Sequence, residues 1–236
     1  MAMQPALSSR LSRRRFLTGA VAAGVAGLGT GLSLPLHPSA RAWAQALPTP
    51  DEALKALMDG NQRFVTGTMT SFERDKEMLR QKTALRQTPF AAILSCADSR
   101  VPVEIVFDQT IGDLFVARVA GNVASPEMIA SLEYGTIVLG ARVLMVLGHS
   151  ACGAVTATIA ARAVPGQISG LYSFIRPAVD QAGTDPEAAS KANVKYQVGL
   201  LRRASPVIAG LIGEKKCRVV GAYYDVASGA VTLLEP

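Results

Sequence analysis

Two short polar stretches hold the residue types able to do chemistry. The first is Cys96-Ala97-Asp98-Ser99-Arg100 and the second is Gly148-His149-Ser150-Ala151-Cys152-Gly153. Together they offer two thiols, one imidazole, one carboxylate and one guanidinium. Two sulfurs and one ring nitrogen form a soft donor set suited to zinc, and three protein ligands leave the fourth tetrahedral position open to water. Cys96, His149 and Cys152 are therefore the candidate metal ligands. Asp98 is close enough to the first of them to accept a hydrogen bond from water at the metal. Arg100, two residues further on an extended segment, can hold that carboxylate in a charge-assisted pair and keep it ionised.

The elements that must position these residues come next. Each polar stretch follows an apolar run of strand length, Phe90-Ala91-Ala92-Ile93-Leu94-Ser95 and Val143-Leu144-Met145-Val146-Leu147. Open α/β sheets place their chemistry where such buried strands hand over to loops. A further strand is expected over 114–120 and others over 218–226 and 231–234, the last two joined by the turn Ala227-Ser228-Gly229. Between them the spacing predicts helices: Ser125-Pro126-Glu127 starts one running to Leu139, an Ala/Val/Ile helix follows Cys152 as far as Val164, and helices cover 170–182 and 187–211. Pro177 and Pro206 mark kinks or boundaries in the last two. Strands alternating with helices predict an α/β fold, a mainly parallel sheet flanked by helices. Before the first strand, Thr49-Pro50-Asp51-Glu52 is a capping box opening a helix with Leu54, Leu57, Met58 and Phe64 at helical spacing, loosened by Gly60 and Gly67. A charged stretch over 72–86 reads as a second helix of this N-terminal arm.

The pattern Cys-x-Asp-x-Arg followed by His-x-x-Cys resembles the β-class carbonic anhydrases. So do the flanking stretches 99–104 (Ser-Arg-Val-Pro-Val-Glu), 112–122 (Gly-Asp-Leu-Phe-Val-Ala-Arg-Val-Ala-Gly-Asn), 148–153 and 219–226 (Val-Val-Gly-Ala-Tyr-Tyr-Asp-Val). The resemblance runs from Asp51 to the end of the chain. It implies one zinc ion per subunit and reversible hydration of carbon dioxide to bicarbonate and a proton by zinc-bound hydroxide. It implies that Asp98 and Arg100 are catalytic, and that Asp98 becomes a fourth ligand in a closed state. It also implies a homodimer or higher homo-oligomer, with the N-terminal helices packed on a second subunit and Gln87 hydrogen-bonding substrate across the interface. Phe107, Val123 and Val155 are candidate linings for the carbon dioxide pocket, although core packing suits each of them. Gly121, Gly148 and Gly153 suit backbone geometry, and Cys217, opening an apolar strand, reads as a buried non-ligand. Three other readings stay open: hydrolysis of carbonyl sulfide or carbon disulfide at the same site, a non-catalytic zinc module, and a thiol protein pairing Cys96 with Cys152 as a disulfide.

Residues 1–46 read differently from the rest. Ser12-Arg13-Arg14-Arg15-Phe16-Leu17 is a twin-arginine pattern, the following run to Leu36 is apolar and uncharged, and Ala42-Trp43-Ala44-Gln45-Ala46 offers small-residue cleavage sites. The expectation is a signal peptide removed after Ala46, recognised by the twin-arginine translocation machinery and delivering residues 47–236 to the periplasm as a single catalytic domain. Its loss removes five arginines and no acid, so the basic count falls from 24 to 19 against 18 acidic residues. That near-neutral balance gives no electrostatic case for nucleic acid as a partner. Replacing Arg13 and Arg14 with lysine is expected to hold the precursor in the cytoplasm; fractionation showing normal periplasmic yield would sink the signal assignment.

Overall fold

The computed structural model describes residues 48–71 and 86–235. The expected helix over 72–86 therefore lies outside the described residues except for its last position, as does the whole of the expected signal segment.

The chain builds a five-stranded sheet in the order β2-β1-β3-β4-β5. The strands are β1 (Ala91–Ser95), β2 (Leu114–Arg118), β3 (Val143–His149), β4 (Arg218–Tyr224) and β5 (Val231–Leu234). The first four run parallel and β5 pairs antiparallel with β4. Every residue of β1 and β3 is buried, as expected for central strands covered on both faces. Alternate residues serve opposite faces. Ala91, Ile93, Val143, Met145 and Leu147 join one core with α1 (Pro50–Thr66) and α2 (Val103–Val106). Ala92, Leu94, Leu144 and Val146 join the other, covered by α3 (Pro126–Glu133), α6 (Pro186–Ala204) and α7 (Pro206–Gly213). Two more helices, α4 (Gly153–Ala160) and α5 (Tyr172–Ala182), pack around a third, smaller core at the carboxyl ends of the central strands.

Local signals set most boundaries. The Thr49 capping box is present in full: Thr49 Oγ1 accepts from the Glu52 N–H and the Glu52 carboxylate accepts from the Thr49 N–H. Gly67, at φ 69°, ends α1. Asp185 and Ser205 cap α6 and α7. The expected single helix over 187–211 thus breaks at Ser205-Pro206, where proline has no N–H to continue the ladder. Pro177 lies inside α5 without ending it.

Three expectations are corrected. The second strand stops at Arg118 rather than Ala120, because the chain turns through Gly121 (φ 77°) and Asn122 (φ 45°). The helix expected to reach Leu139 ends at Glu133 and passes into a π-helical turn, Tyr134–Val138, in which the Leu139 N–H donates to Tyr134 O. The helix after Cys152 ends at Ala160, with Ala161 left-handed at φ 50°. On α1, Ala53, Leu54 and Leu57 are buried against the chain's own sheet. Gly60, which seemed only to loosen the helical pattern, is required there: a Cβ would fall 1.8 Å from the Phe107 carbonyl oxygen.

The α1 docking is held by polar groups as well. Buried Asn61 donates from Nδ2 to Val106 O and Gly229 O and accepts at Oδ1 from the Val231 N–H. Asp108 is buried beyond it. Burial raises its pKa, but Arg63 and the N–H groups of Ser71 and Thr70 outweigh that and carry it down to about 2. Among the described residues no helix is long and apolar enough to cross a membrane.

Asn61→Leu strands three buried backbone groups at once, so denaturant unfolding is expected to show a loss of about 3 kcal/mol. A near-neutral result would mean that α1 docks elsewhere in solution.

Candidate metal centre

The register of the parallel strands assembles the site. Ser95, the last residue of β1, stands opposite Leu147 of β3. The chain therefore leaves β1 at Cys96 beside the last two residues of β3, Gly148 and His149. The two connections leave in opposite directions, β1 being followed by β2 on one side and β3 by β4 on the other, so this is the topological switch point of the sheet.

There the ligand atoms of Cys96, His149 and Cys152 lie within 4.8 Å of one another, and all three residues are buried. His149 Nδ1 lies 2.9 Å from Ser150 O. A carbonyl only accepts, so Nδ1 carries the hydrogen and Nε2 presents its lone pair. Nε2 is fully buried and has no hydrogen-bond partner. An unpartnered buried acceptor facing two sulfurs is what a metal ion would satisfy. The sulfurs suit the same ion. Cys96 is pushed toward thiolate, chiefly by its interaction with Cys152; burial opposes this, while the Gly121 N–H assists it. Cys152 is pushed the other way by that same interaction and by burial. A dication held between the two sulfurs would displace the thiol protons. Both thiols are free, which removes the disulfide reading.

Asp98 is held by Arg100. The Arg100 Nε donates to Oδ1 at 3.0 Å, Nη2 to Oδ2 at 2.8 Å, and the backbone N–H to Oδ1 at 2.9 Å. These bonds keep the carboxyl well below the usual carboxylate range. The same Nη2 donates to Ala151 O at 3.1 Å, so one guanidinium ties the two loops together. Asp98 Oδ2 lies 3.9 Å from His149 Nε2.

Several supporting residues carry no signal of their role in the sequence. Arg118, at the end of β2, donates to Cys96 O and Asp98 O and braces the backbone of the first loop. Ser150 accepts from the Val226 N–H at its hydroxyl and donates its own N–H to Tyr224 O, fixing the second loop to β4. Gly148 is needed for close approach, since a Cβ would sit 2.4 Å from Val194 Cγ2 of α6. Val123 and Val155 join Cys96 and Cys152 in the small core beside the site. Phe107 does not; it packs in the core that α1 covers. Gln87 is exposed in the stretch leading into β1. Cys217 lies in the core under α6 and α7, its pKa raised to about 11 by burial.

The carbonic anhydrase family profile matches residues 91–231. The chain belongs to the carbonic anhydrase family. It is 35% identical over 192 residues to carbonic anhydrase 2 of Mycobacterium tuberculosis, covering 78% of this chain and 92% of that protein. It is 37% identical to the carbonic anhydrase of Mycolicibacterium smegmatis, covering 78% of this chain and 93% of that one. Among solved structures it is similar to a tetrameric β-carbonic anhydrase of Sordaria macrospora, with a TM-score of 0.63 and 22% identity over 78% of this chain and 98% of the other. The Coccomyxa β-carbonic anhydrase solved with acetazolamide gives a TM-score of 0.61 at 26% identity, over 77% of this chain and 86% of that one. The fold is that of the β class, whose members are zinc enzymes, and the Cys–His–Cys group fits that ion.

Cys152→Ser is expected to lose most bound zinc, whereas Cys217→Ser keeps one equivalent per chain. Metal analysis that finds the Cys217 variant empty would overturn the ligand set.

Proposed function

We propose that this chain catalyses the reversible hydration of carbon dioxide to bicarbonate, at a zinc ion held by Cys96, His149 and Cys152. The observation that carries this is the buried, unpartnered Nε2 of His149 converging with two sulfurs beside an Arg100-clamped carboxylate. A zinc ion there supplies Lewis-acid chemistry, lowering the pKa of water so that it can attack carbon dioxide near neutral pH. Two thiolates leave such an ion less electrophilic than three imidazoles would, so the protein has to help.

The residues divide that help between them. Asp98 offers Oδ2 toward the site and accepts a hydrogen bond from the attacking water, aiming its oxygen lone pair at carbon. Arg100 holds Oδ1 and keeps the carboxylate from turning inward to become a fourth ligand itself. The buried valines 123 and 155 give the site an apolar wall, suited to a linear substrate without a dipole. Gln87 is assigned to the site of a neighbouring copy, where its amide can hydrogen-bond a substrate oxygen. That assignment goes with a homo-oligomer, as in the tetrameric Sordaria enzyme. The twin-arginine pattern at 13–14 supports export to the periplasm.

Stopped-flow carbon dioxide hydration on zinc-quantified protein tests the reading. Asp98→Asn and Arg100→Ala are each expected to lower kcat/KM by about two orders of magnitude with zinc retained. Because the pair acts as a unit, the double variant is expected to lose little more than either single one. Wild-type protein with a full zinc complement and no hydration activity would refute the proposal.

A further inference from the structure

Helix α6 carries two amides, Asn193 and Gln197, one turn apart and fully buried. Their neighbours on the same helix, Val194, Val198 and Leu201, are ordinary core residues. Buried amides at such positions are costly unless every polar atom is used. The use made of these leads to the metal centre.

The chain of bonds starts from a backbone group that can only donate. The Ala124 N–H gives its hydrogen to Gln197 Oε1 at 2.9 Å. That fixes which end of the Gln197 amide is oxygen, so its Nε2 faces the other way. Nε2 donates to Phe174 O at 2.9 Å and to Asn193 Oδ1 at 3.0 Å. Asn193 is thereby turned too, and its Nδ2 donates to Gly121 O at 2.9 Å. The orientation of each amide follows from the one before it. The residue held at the end is Gly121, at φ 77°, where a Cβ would meet Ile175 Cδ1 at 2.6 Å. Its own N–H points at Cys96 Sγ, 3.3 Å away.

We propose that Asn193 and Gln197 are positioning residues for the metal: through Gly121 they aim an N–H at the Cys96 sulfur and draw charge from it. The inference rests on the zinc-site reading above and deepens it. A hydrogen bond to a metal-bound thiolate reduces the sulfur's donation and leaves the metal more electrophilic, which a two-thiolate site needs. The loop 120–124 makes that bond only while its carbonyl and amide groups are held from α6. A core leucine at position 193 would fill the same space and release the loop.

The test uses the full chain loaded with zinc and, separately, with cobalt(II). Asn193→Leu removes the donor to Gly121 while keeping the branched, four-atom side-chain skeleton; Asn193→Ala does so in a form that folds if the leucine variant does not. Either is expected to move the thiolate-to-cobalt charge-transfer band to longer wavelength. Chelator competition is expected to show zinc held about 10- to 100-fold more weakly. Val198→Ala, on the same buried face of α6 but without a bond to the loop, is the control, expected to lower the melting temperature and leave the band in place. Asn193 variants with the wild-type band and zinc affinity would overturn the proposal, as would a Val198→Ala band displaced as far. Wild-type protein that takes up neither metal would instead bring down the zinc-site reading itself.

Discussion

The pairing of β1 with β3 is the constraint on which the site depends. With Ser95 opposite Leu147, the loop after β1 opens level with Gly148 and His149, and three ligand atoms from two loops meet within 4.8 Å. A slip of one residue would turn every side chain of a strand to the other face and part the sulfurs from the imidazole. The register is held by burial on both faces. Ile93 and Met145 pack under α1, while Leu94 and Val146 pack under α6 and α7, so a shifted strand would lose both cores together.

Electrostatics then decides what the assembled atoms are. Two buried sulfurs next to an unpartnered imidazole nitrogen form a donor set suited to a cation. Arg100 stands outside that set, yet its guanidinium touches both loops, at Asp98 and at Ala151 O. Its planar fork can do both at once, which a lysine ammonium could not do with the same geometry. Arg118 performs the comparable task on the backbone, gathering Cys96 O and Asp98 O from one strand end. The carboxylate is thus held by side-chain and main-chain bonds before any substrate arrives.

Much of the rest of the chain serves as a support for these loops. Gly148 lets α6 lie against β3, and α6 in turn carries the amides that hold Gly121. Ser150 fixes the second loop to β4 and Val226, on the side where Asn61 of α1 binds the neighbouring hairpin at Gly229 and Val231. Close packing transmits position through such contacts because there is little free volume to absorb a shift.

The amino-acid sequence by itself determined what local physics controls. The apolar runs at 91–95 and 143–147, the capping box at Thr49, the proline boundary at 206 and the soft donor set at 96, 149 and 152 are all short-range patterns, and each stands in the structure as read. Tertiary structure decided the rest. The docking of α1 on its own sheet depends on Asn61 meeting carbonyls 45 and 168 residues away. The continuous helix expected to Leu139 yielded to a π-helical turn where Gly135 packs against Phe115 of β2, a Cβ there falling 2.7 Å from the ring. The role of Asn193 and Gln197 exists only where α6 lies beside Gly121, more than seventy residues earlier in the chain. Periodicity and capping report a residue's neighbours along the chain. A buried amide's partner is chosen by which backbone groups the packed helices bring to it, and no window of sequence contains both.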